Sequence, residues 1–335
     1  MKEDNNLFSR VKRYSQVTTS VSSLASRFAG KKYLNLSLDD KKFAAQITQI
    51  LGNLKGPLMK VAQLSSTIPD LLPPEYAKKL SELQSNAPPM SWIFVRRRMK
   101  AELGENWEKH FKKFDQEASY AASLGQVHKA VLKTNENVAC KLQYPDMSSA
   151  VEADLGQLKF IFKIYSSYNK SIQIKEIYKE ISERLKEELD YRLEYSHLKI
   201  FRHIHSNNSF VKIPQVYEKI STDRLLVMEY LKGKKLIDYK NAPQKIRNDL
   251  AKKLFITWYY PFYKYGIIHG DPHLGNYSVD QKNNINLFDY GCVRIFPPKF
   301  VKGVIDLYFA LKNKDQKKIK AAYVAWGFNN IDDKL

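Results

Sequence analysis

The segment Ile267-Ile268-His269-Gly270-Asp271-Pro272-His273-Leu274-Gly275-Asn276 constrains this chain more than any other. An apolar pair leads into a loop that carries an acid and, five residues later, an amide. Thirteen residues beyond Asn276 stands a second acid, in Asp289-Tyr290-Gly291. Between them Ser278-Val279 and Ile285-Asn286-Leu287-Phe288 flank a polar turn, the pattern of a β-hairpin. One carboxylate can accept or orient a proton. An amide and a second carboxylate can offer oxygen ligands to a hard cation that bridges phosphates. Each piece alone is weak, since an Asp also caps loops and sits in turns. Both acids together, at this spacing and behind an apolar strand, are not explained by turn chemistry.

Asp271 and Asn276 have the spacing of a kinase catalytic loop, H-R-D-L-x-x-x-N, and Asp289-Tyr290-Gly291 is a variant of D-F-G. Two upstream features follow in the expected order. Val138-Ala139-Cys140-Lys141 matches V-A-I-K, whose Lys pairs with the α/β-phosphates and with a helix Glu. Leu226 to Gly233 reads as a hinge between lobes. There Glu229 would offer its carbonyl and Leu231 its N–H to adenine, with Met228 at the back of the pocket. An ordinary strand entering a turn is the competing reading of that stretch. A metal site made of His269, His273 and Asp271 would leave the Asp/Asn pair unexplained and is set aside.

Two absences matter as much. No G-x-G-x-x-G precedes Lys141; Ser119-Tyr120-Ala121-Ala122-Ser123-Leu124-Gly125-Gln126 stands in its place. Only four residues separate Gly291 from Phe296-Pro297-Pro298, and no A-P-E follows. A protein kinase needs an activation segment there to hold a peptide, so phosphorylation of protein is not expected.

Composition sets the wider frame. Hydrophobic residues make up 44% of the 335, and 27% are charged, a globular balance. Lys and Arg number 55 against 35 acids, a net charge of +20 that suits anionic partners or a solvated lysine-rich surface. Basic residues are dispersed and lack interleaved stacking aromatics, so no nucleic-acid partner is expected. Two cysteines, Cys140 and Cys292, give no disulfide framework and fit a reducing compartment. No secretory leader and no membrane span is read, which predicts a cytoplasmic protein, peripheral at most on the inner membrane face.

The element pattern predicts an α+β arrangement with a helical N-terminal extension, and the kinase-like motif spacing adds the expectation of a bilobal, protein-kinase-like fold. Residues 1–35 form a polar, partly helical tail, and 36–113 a helical extension whose last helix spans 91–113. Within it the run Arg96, Arg97, Arg98 and Lys100 reads as a solvated face. Residues 114–231 form the N-lobe, with strands over 120–132 and 136–144. A long helical stretch covers 148–205, and a hairpin runs from Pro214 to Tyr230. Residues 232–335 form a helical C-lobe interrupted by the loop-and-hairpin segment 266–295.

Four motifs resemble the UbiB/AarF family of atypical kinase-like proteins, associated with ubiquinone biosynthesis. They are Lys60-Val61-Ala62-Gln63, similar to K-x-G-Q; Ala121-Ala122-Ser123-Leu124-Gly125-Gln126-Val127-His128, similar to an alanine-rich loop; Glu188-Leu189-Asp190-Tyr191-Arg192-Leu193-Glu194, similar to E-x-D-Y; and the segment from His269 to Asn276 with Asp289-Tyr290-Gly291. Together they cover roughly residues 45–300. Ala62 stands for the Gly of K-x-G-Q, Tyr120 for a loop alanine and Tyr290 for Phe. The chain stops at Leu335 without the further C-terminal helices of many members, as a short branch or a truncated chain would.

The resemblance implies roles. Glu194 is the helix partner of Lys141. Glu188 and Asp190 meet Lys60 and Gln63, which fold over the place where a peptide would bind. Ala121, Ala122 and Ser123 line the nucleotide, together with Lys141, Met228, Glu229 and Leu231. Asn276 and Asp289 hold the metal, and Asp271 orients the nucleophile or accepts its proton. The implied cofactors are ATP and Mg²⁺ or Mn²⁺. The implied activity is ATP binding with restrained hydrolysis, supporting isoprenoid-quinone or lipid metabolism. Partners would be an anionic membrane surface and proteins of the quinone and isoprenoid-lipid pathway. Two other readings stay open: a small-molecule kinase of aminoglycoside or choline-kinase type, and a non-catalytic nucleotide-binding scaffold.

Overall fold

In the computed structural model, which describes residues 90–121, 124–166, 174–271, 273–326 and 328, the strand pattern between 120 and 144 becomes the centre of an antiparallel sheet. The strands are β1 (Phe111–Phe114), β2 (Tyr120–Ala121), β3 (Gly125–Leu132) and β4 (Asn137–Gln143), later joined by β6 (Leu225–Glu229). They run in the order β1-β3-β4-β6, with β2 also paired to β3. Successive residues of a strand point to opposite faces. Ala130 and Leu132 of β3, Val138, Cys140 and Leu142 of β4, and Leu225 and Val227 of β6 therefore share one face. That face buries against Val95 and Met99 of helix α1 (Trp92–Leu103), with Trp107 and Phe111. The opposite face carries Val127, Lys129, Ala139, Lys141, Leu226 and Met228, in register across the three strands.

Helix α1 is shorter than the expected 91–113. Gly104 closes it at a φ of 85°, its N–H returning to the Lys100 carbonyl, a conformation that glycine adopts at little steric cost. Phe111–Phe114 then turns into strand, because these aromatics pack with Trp107 at centroid distances of 5.3–6.0 Å. The basic run is not wholly solvated either. Arg98 is buried, bonded to Glu102 Oε1 at 3.3 Å and to the Tyr144 carbonyl at 3.2 Å.

The expected long helix is three: α2 (Met147–Ser166), α3 (Ile174–Glu188) and α4 (Tyr191–Ile204). The α3–α4 break is chemical. Asp190 caps α4, its Oδ1 accepting the Leu193 N–H at 2.9 Å, which satisfies an otherwise orphaned first-turn donor. The expected hairpin before Tyr230 reduces to a single bridge, Val216 with Met228, because Glu218–Ile220 turns into 3₁₀ helix.

The chain divides into two units. One extends to Glu194 and includes Val216–Tyr230; the other comprises Tyr195–Gln215 and the chain from Leu231 onward. The second holds a four-stranded sheet in the order β5-β10-β9-β7 and a pair β11-β8. Its strands are β5 (Val211–Lys212), β7 (Lys234–Lys235), β8 (Ile267–His269), β9 (Tyr277–Val279), β10 (Ile285–Leu287) and β11 (Val293–Ile295). Its helices are α5 (Gln244–Tyr265), α6 (Pro298–Lys312) and α7 (Gln316–Ala325). Helix α5 runs through Pro261. That proline has no N–H for the Thr257 carbonyl. The β9–β10 turn is held by Asp280, which accepts from the N–H groups of Lys282 and Asn284 and pairs with Lys212.

Candidate functional site

Lys141 sits in the middle of β4, paired with Val127 of β3 and Leu226 of β6. A strand centre fixes the backbone, so only the side chain needs a partner. Glu194, in the first turn of α4, supplies it: Lys141 Nζ lies 2.8 Å from both Oε1 and Oε2. Lys141 is 7% and Glu194 2% exposed. At that burial neither charge is tolerable without the other. The Tyr191 ring lies 5.3 Å from Nζ and adds a cation–π face.

Around this pair the same unit holds other expected residues. Met228 is opposite Ala139, Glu229 opposite Val138, and Ala121 of β2 opposite Gln126. Gly125 follows the loop, and no larger residue fits there: a Cβ would stand 2.2 Å from the Leu142 carbonyl oxygen. Glu188 ends α3, half-buried. Asp190 has the local capping task described above. Ala122, Ser123, Lys60 and Gln63 lie outside the described residues.

The other unit assembles the loop. His269 is fully buried. Its Nδ1 accepts the Asp271 N–H at 3.3 Å, so its Nε2 carries the proton and donates to the Asp289 carbonyl at 2.5 Å. One imidazole thus spans both acids. Trp258 Nε1 holds the His269 carbonyl at 2.9 Å. Asn276 Nδ2 donates to the Asp271 carbonyl at 3.1 Å, which spends the nitrogen on the loop and reserves the oxygen as a candidate ligand. Asp289 adopts a φ of 58°, and its Oδ1 accepts the Gly291 N–H at 3.1 Å. Gly270 approaches Cys292 so closely that a Cβ would meet its Sγ at 2.7 Å. Burial, and then the charge of Asp271, push the Tyr277 phenol up to about 12, so it stays protonated beside the acid. Leu231 opens the second stretch of this unit, ahead of β7.

Asp289 and Asn276 together fit a small hard cation, which takes one or two protein oxygens and completes its shell with phosphates and water. His273 does not belong to that set; its Nδ1 accepts the Gly275 N–H. Among the described residues no cluster of three His, Cys, Asp or Glu forms a conventional metal cage.

Sequence reading missed several residues. Gln126 and His128 are fully buried on the core face of β3. Gln126 Nε2 donates to His128 Nε2 at 2.8 Å, while its Oε1 accepts the Met90 N–H at 2.6 Å. His128 Nδ1 then donates to the Asp115 carbonyl at 2.8 Å. Burial holds the imidazole below its ordinary pKa. The adjacent G-Q-V-H letters were the available signal: two polar residues at alternate positions of a strand must both be satisfied if buried. Asn286, also buried, donates to the Lys232 carbonyl and to Ser278 Oγ. His197 donates to the Tyr290 carbonyl at 3.0 Å, a contact no local pattern announces.

Residues 82–323 match the ABC1 atypical kinase-like domain. The chain is 34% identical over 270 residues to the chloroplastic protein ACTIVITY OF BC1 COMPLEX KINASE 7 of Arabidopsis thaliana, a match that covers 79% of this chain and 39% of the relative. It is 30% identical to AarF domain-containing protein kinase 1 of Xenopus laevis, over 79% of this chain and 52% of that one. The chain thus spans about half the length, or less, of these relatives. Among solved structures, the complex of Rv3197 with erythromycin from Mycobacterium tuberculosis superposes with a TM-score of 0.60 at 29% identity, covering 82% of this chain and 71% of that one. The fold is kinase-like.

Proposed function

The chain belongs to the ABC1 atypical kinase-like family, the UbiB/AarF group, and from that premise we propose that it is an ATP-binding enzyme. Its chemistry is restrained ATP hydrolysis or phosphotransfer that supports isoprenoid-quinone or lipid metabolism at a membrane surface. The observation that carries this reading is the buried Lys141–Glu194 pair, with Nζ 2.8 Å from each carboxylate oxygen. A structural ion pair buried this deeply gains little over an apolar pair. A lysine kept charged and aimed by an acid is what phosphate binding needs.

The residues divide the work. Lys141 binds phosphate oxygens as a point charge, and Glu194 fixes its direction. Asn276 and Asp289 hold the divalent metal, which when bound neutralises charge on the phosphates. Asp271 orients the attacking hydroxyl or water and takes its proton. Met228 and the backbone of Glu229 and Leu231 receive the base, and Ala121, Ala122 and Ser123 cover the phosphates. Exclusion of peptide is the role that the family motifs imply for Lys60 and Gln63 with Glu188 and Asp190.

The deciding experiment is thermal stabilisation of the purified protein by ATP with and without Mg²⁺ or Mn²⁺. Stabilisation is expected only with metal, and Asp289→Asn abolishes it. Equal stabilisation of the wild type and Asp289→Asn would sink the assignment. A second reading, a small-molecule kinase, is favoured by the solved neighbour's complex with erythromycin. Phosphate transfer to a macrolide or aminocyclitol hydroxyl that outpaces hydrolysis would replace the first reading with this one.

A further inference from the structure

Asp289 holds a backbone conformation that residues with a Cβ seldom adopt, with a φ of 58°. Such a residue persists only where its surroundings over-determine it. Two histidines do so here, each on one of two successive carbonyls. His269 Nε2 donates to the Asp289 carbonyl at 2.5 Å. His197, from the middle of α4, meets the Tyr290 carbonyl with its Nδ1 at 3.0 Å. A carbonyl can only accept, so this imidazole carries its proton on Nδ1. His197 is 8% exposed, and Tyr290 1%. The Tyr290 ring cannot swing to release the bond. It packs 5.3 Å from Phe201 and 5.7 Å from His269, and its hydroxyl donates to the Leu287 carbonyl at 3.0 Å.

We propose that His197 is a positioning residue for the metal-binding Asp289, acting through the Tyr290 carbonyl. The inference rests on the reading of Asp289 as a metal ligand. His197 touches neither nucleotide nor metal; it sets how often the Asp289–Tyr290–Gly291 backbone is in the conformation that presents the carboxylate. Apparent affinity for a ligand falls in proportion to the fraction of molecules in the binding-competent conformation. Releasing the Tyr290 carbonyl lets Asp289 relax toward an ordinary φ, lowers that fraction and raises the metal concentration needed. His197 also follows Glu194 by one helical turn. The helix whose first turn directs Lys141 therefore also carries the donor that steadies the metal acid.

The test exploits side-chain geometry. In asparagine Nδ2 is as many bonds from the backbone as Nδ1 in histidine, so His197→Asn keeps a donor at the same place. His197→Leu removes it with little change in volume, and His197→Gln keeps polarity but moves the donor one bond outward. For each full-length variant, the Mg²⁺ concentration giving half of the ATP-dependent thermal shift is measured against the melting temperature without ligand. Half-saturation should rise roughly tenfold in His197→Leu and His197→Gln, the scale of one net hydrogen bond, and stay within about twofold of wild type in His197→Asn. If His197→Leu does not fold, His197→Gln against His197→Asn carries the comparison. Unchanged half-saturation without the donor, or an equal rise in His197→Asn, overturns the positioning role while the metal reading stands. A wild type that shows no metal-dependent shift overturns the metal reading itself, and this inference with it.

Discussion

Lys141 Nζ lies 2.8 Å from Glu194 Oε1 and 2.8 Å from Oε2, and both side chains are buried. Stability and function can be separated at this pair. Removing one partner of a buried ion pair typically costs about 3–5 kcal/mol, because the other charge is stranded, whereas an apolar pair of similar volume restores most of it. Glu194→Leu alone should therefore lower unfolding free energy by roughly 3 kcal/mol, and Lys141→Met with Glu194→Leu should recover much of that. ATP-dependent stabilisation should be lost in both, and hydrolysis should fall by about 10²-fold or more. A double variant that recovers nucleotide binding along with stability would reduce the pair to a structural contact.

Phosphorylation of protein in trans is the activity least compatible with the chain after Asp289. Residues Cys292 to Pro297 contain β11 and lead directly into α6 at Pro298. A peptide-holding segment has no place among them. Incubation with generic protein substrates and labelled ATP should give no incorporation above an Asp271→Asn control. Stoichiometric, Asp271-dependent labelling of a substrate would overturn this.

The legible part of the site was the part written in short, local spacing. Asp271, Asn276 and Asp289 fall in one stretch of loop and hairpin, and Lys141 in one strand, so fixed intervals announced them. Residues acting across sequence did not announce themselves. His197 reaches Tyr290, Asn286 reaches Lys232, and Gln126 reaches Met90, and each looks like an ordinary polar residue in its own window. Fold errors have the same origin. Phe111 and Phe114 are three residues apart, a spacing that also suits a helix face, so the local pattern alone does not announce a strand after Gly104. Packing on Trp107 and pairing with β3 decided for strand. The α3–α4 break is likewise a single side-chain bond, from Asp190 to the Leu193 N–H, inside an otherwise continuous helical pattern. The helical extension with Lys60 and Gln63 lies outside the described residues.

His205 makes the fold sensitive to acid. Burial pushes this imidazole down to about 4, against an ordinary value of 6.5, and the Thr257 carbonyl offsets only part of that. The folded protein therefore keeps His205 neutral while the unfolded chain protonates it from pH 6.5 downward. Its contribution is fully present above that range and is lost progressively as pH falls toward 4. The loss totals roughly 3 kcal/mol. Urea unfolding at pH 7, 5.5 and 4.5 should show a steeper decline in wild type than in His205→Gln. Parallel declines would mean that His205 titrates normally in the fold.

The proposed membrane-surface association would rest on α6 and α7. Tyr308, Phe309 and Leu311 of α6 are each more than half exposed, at 60%, 52% and 53%. Around them lie Lys299, Lys302, Lys312, Lys314, Lys317, Lys318 and Lys320, against Asp306 and Asp315. Lys302 pairs locally with Asp306 and Lys318 with Asp315, which reduces the charge on offer. Each basic residue near an anionic leaflet contributes about 1 kcal/mol, so Lys312, Lys314 and Lys317 together give roughly 3 kcal/mol, with the exposed rings adding interfacial area. Weak, reversible binding is the expected outcome. Co-sedimentation should rise with the anionic lipid fraction and fall between low and high salt, because surface charge is screened within about 10 Å at 0.1 M. Reversing Lys312, Lys314 and Lys317 to Glu should weaken it without lowering the melting temperature. The described residues contain no helix long and apolar enough to cross a membrane. Equal partition onto neutral and anionic vesicles would leave these lysines with solubility as their only role.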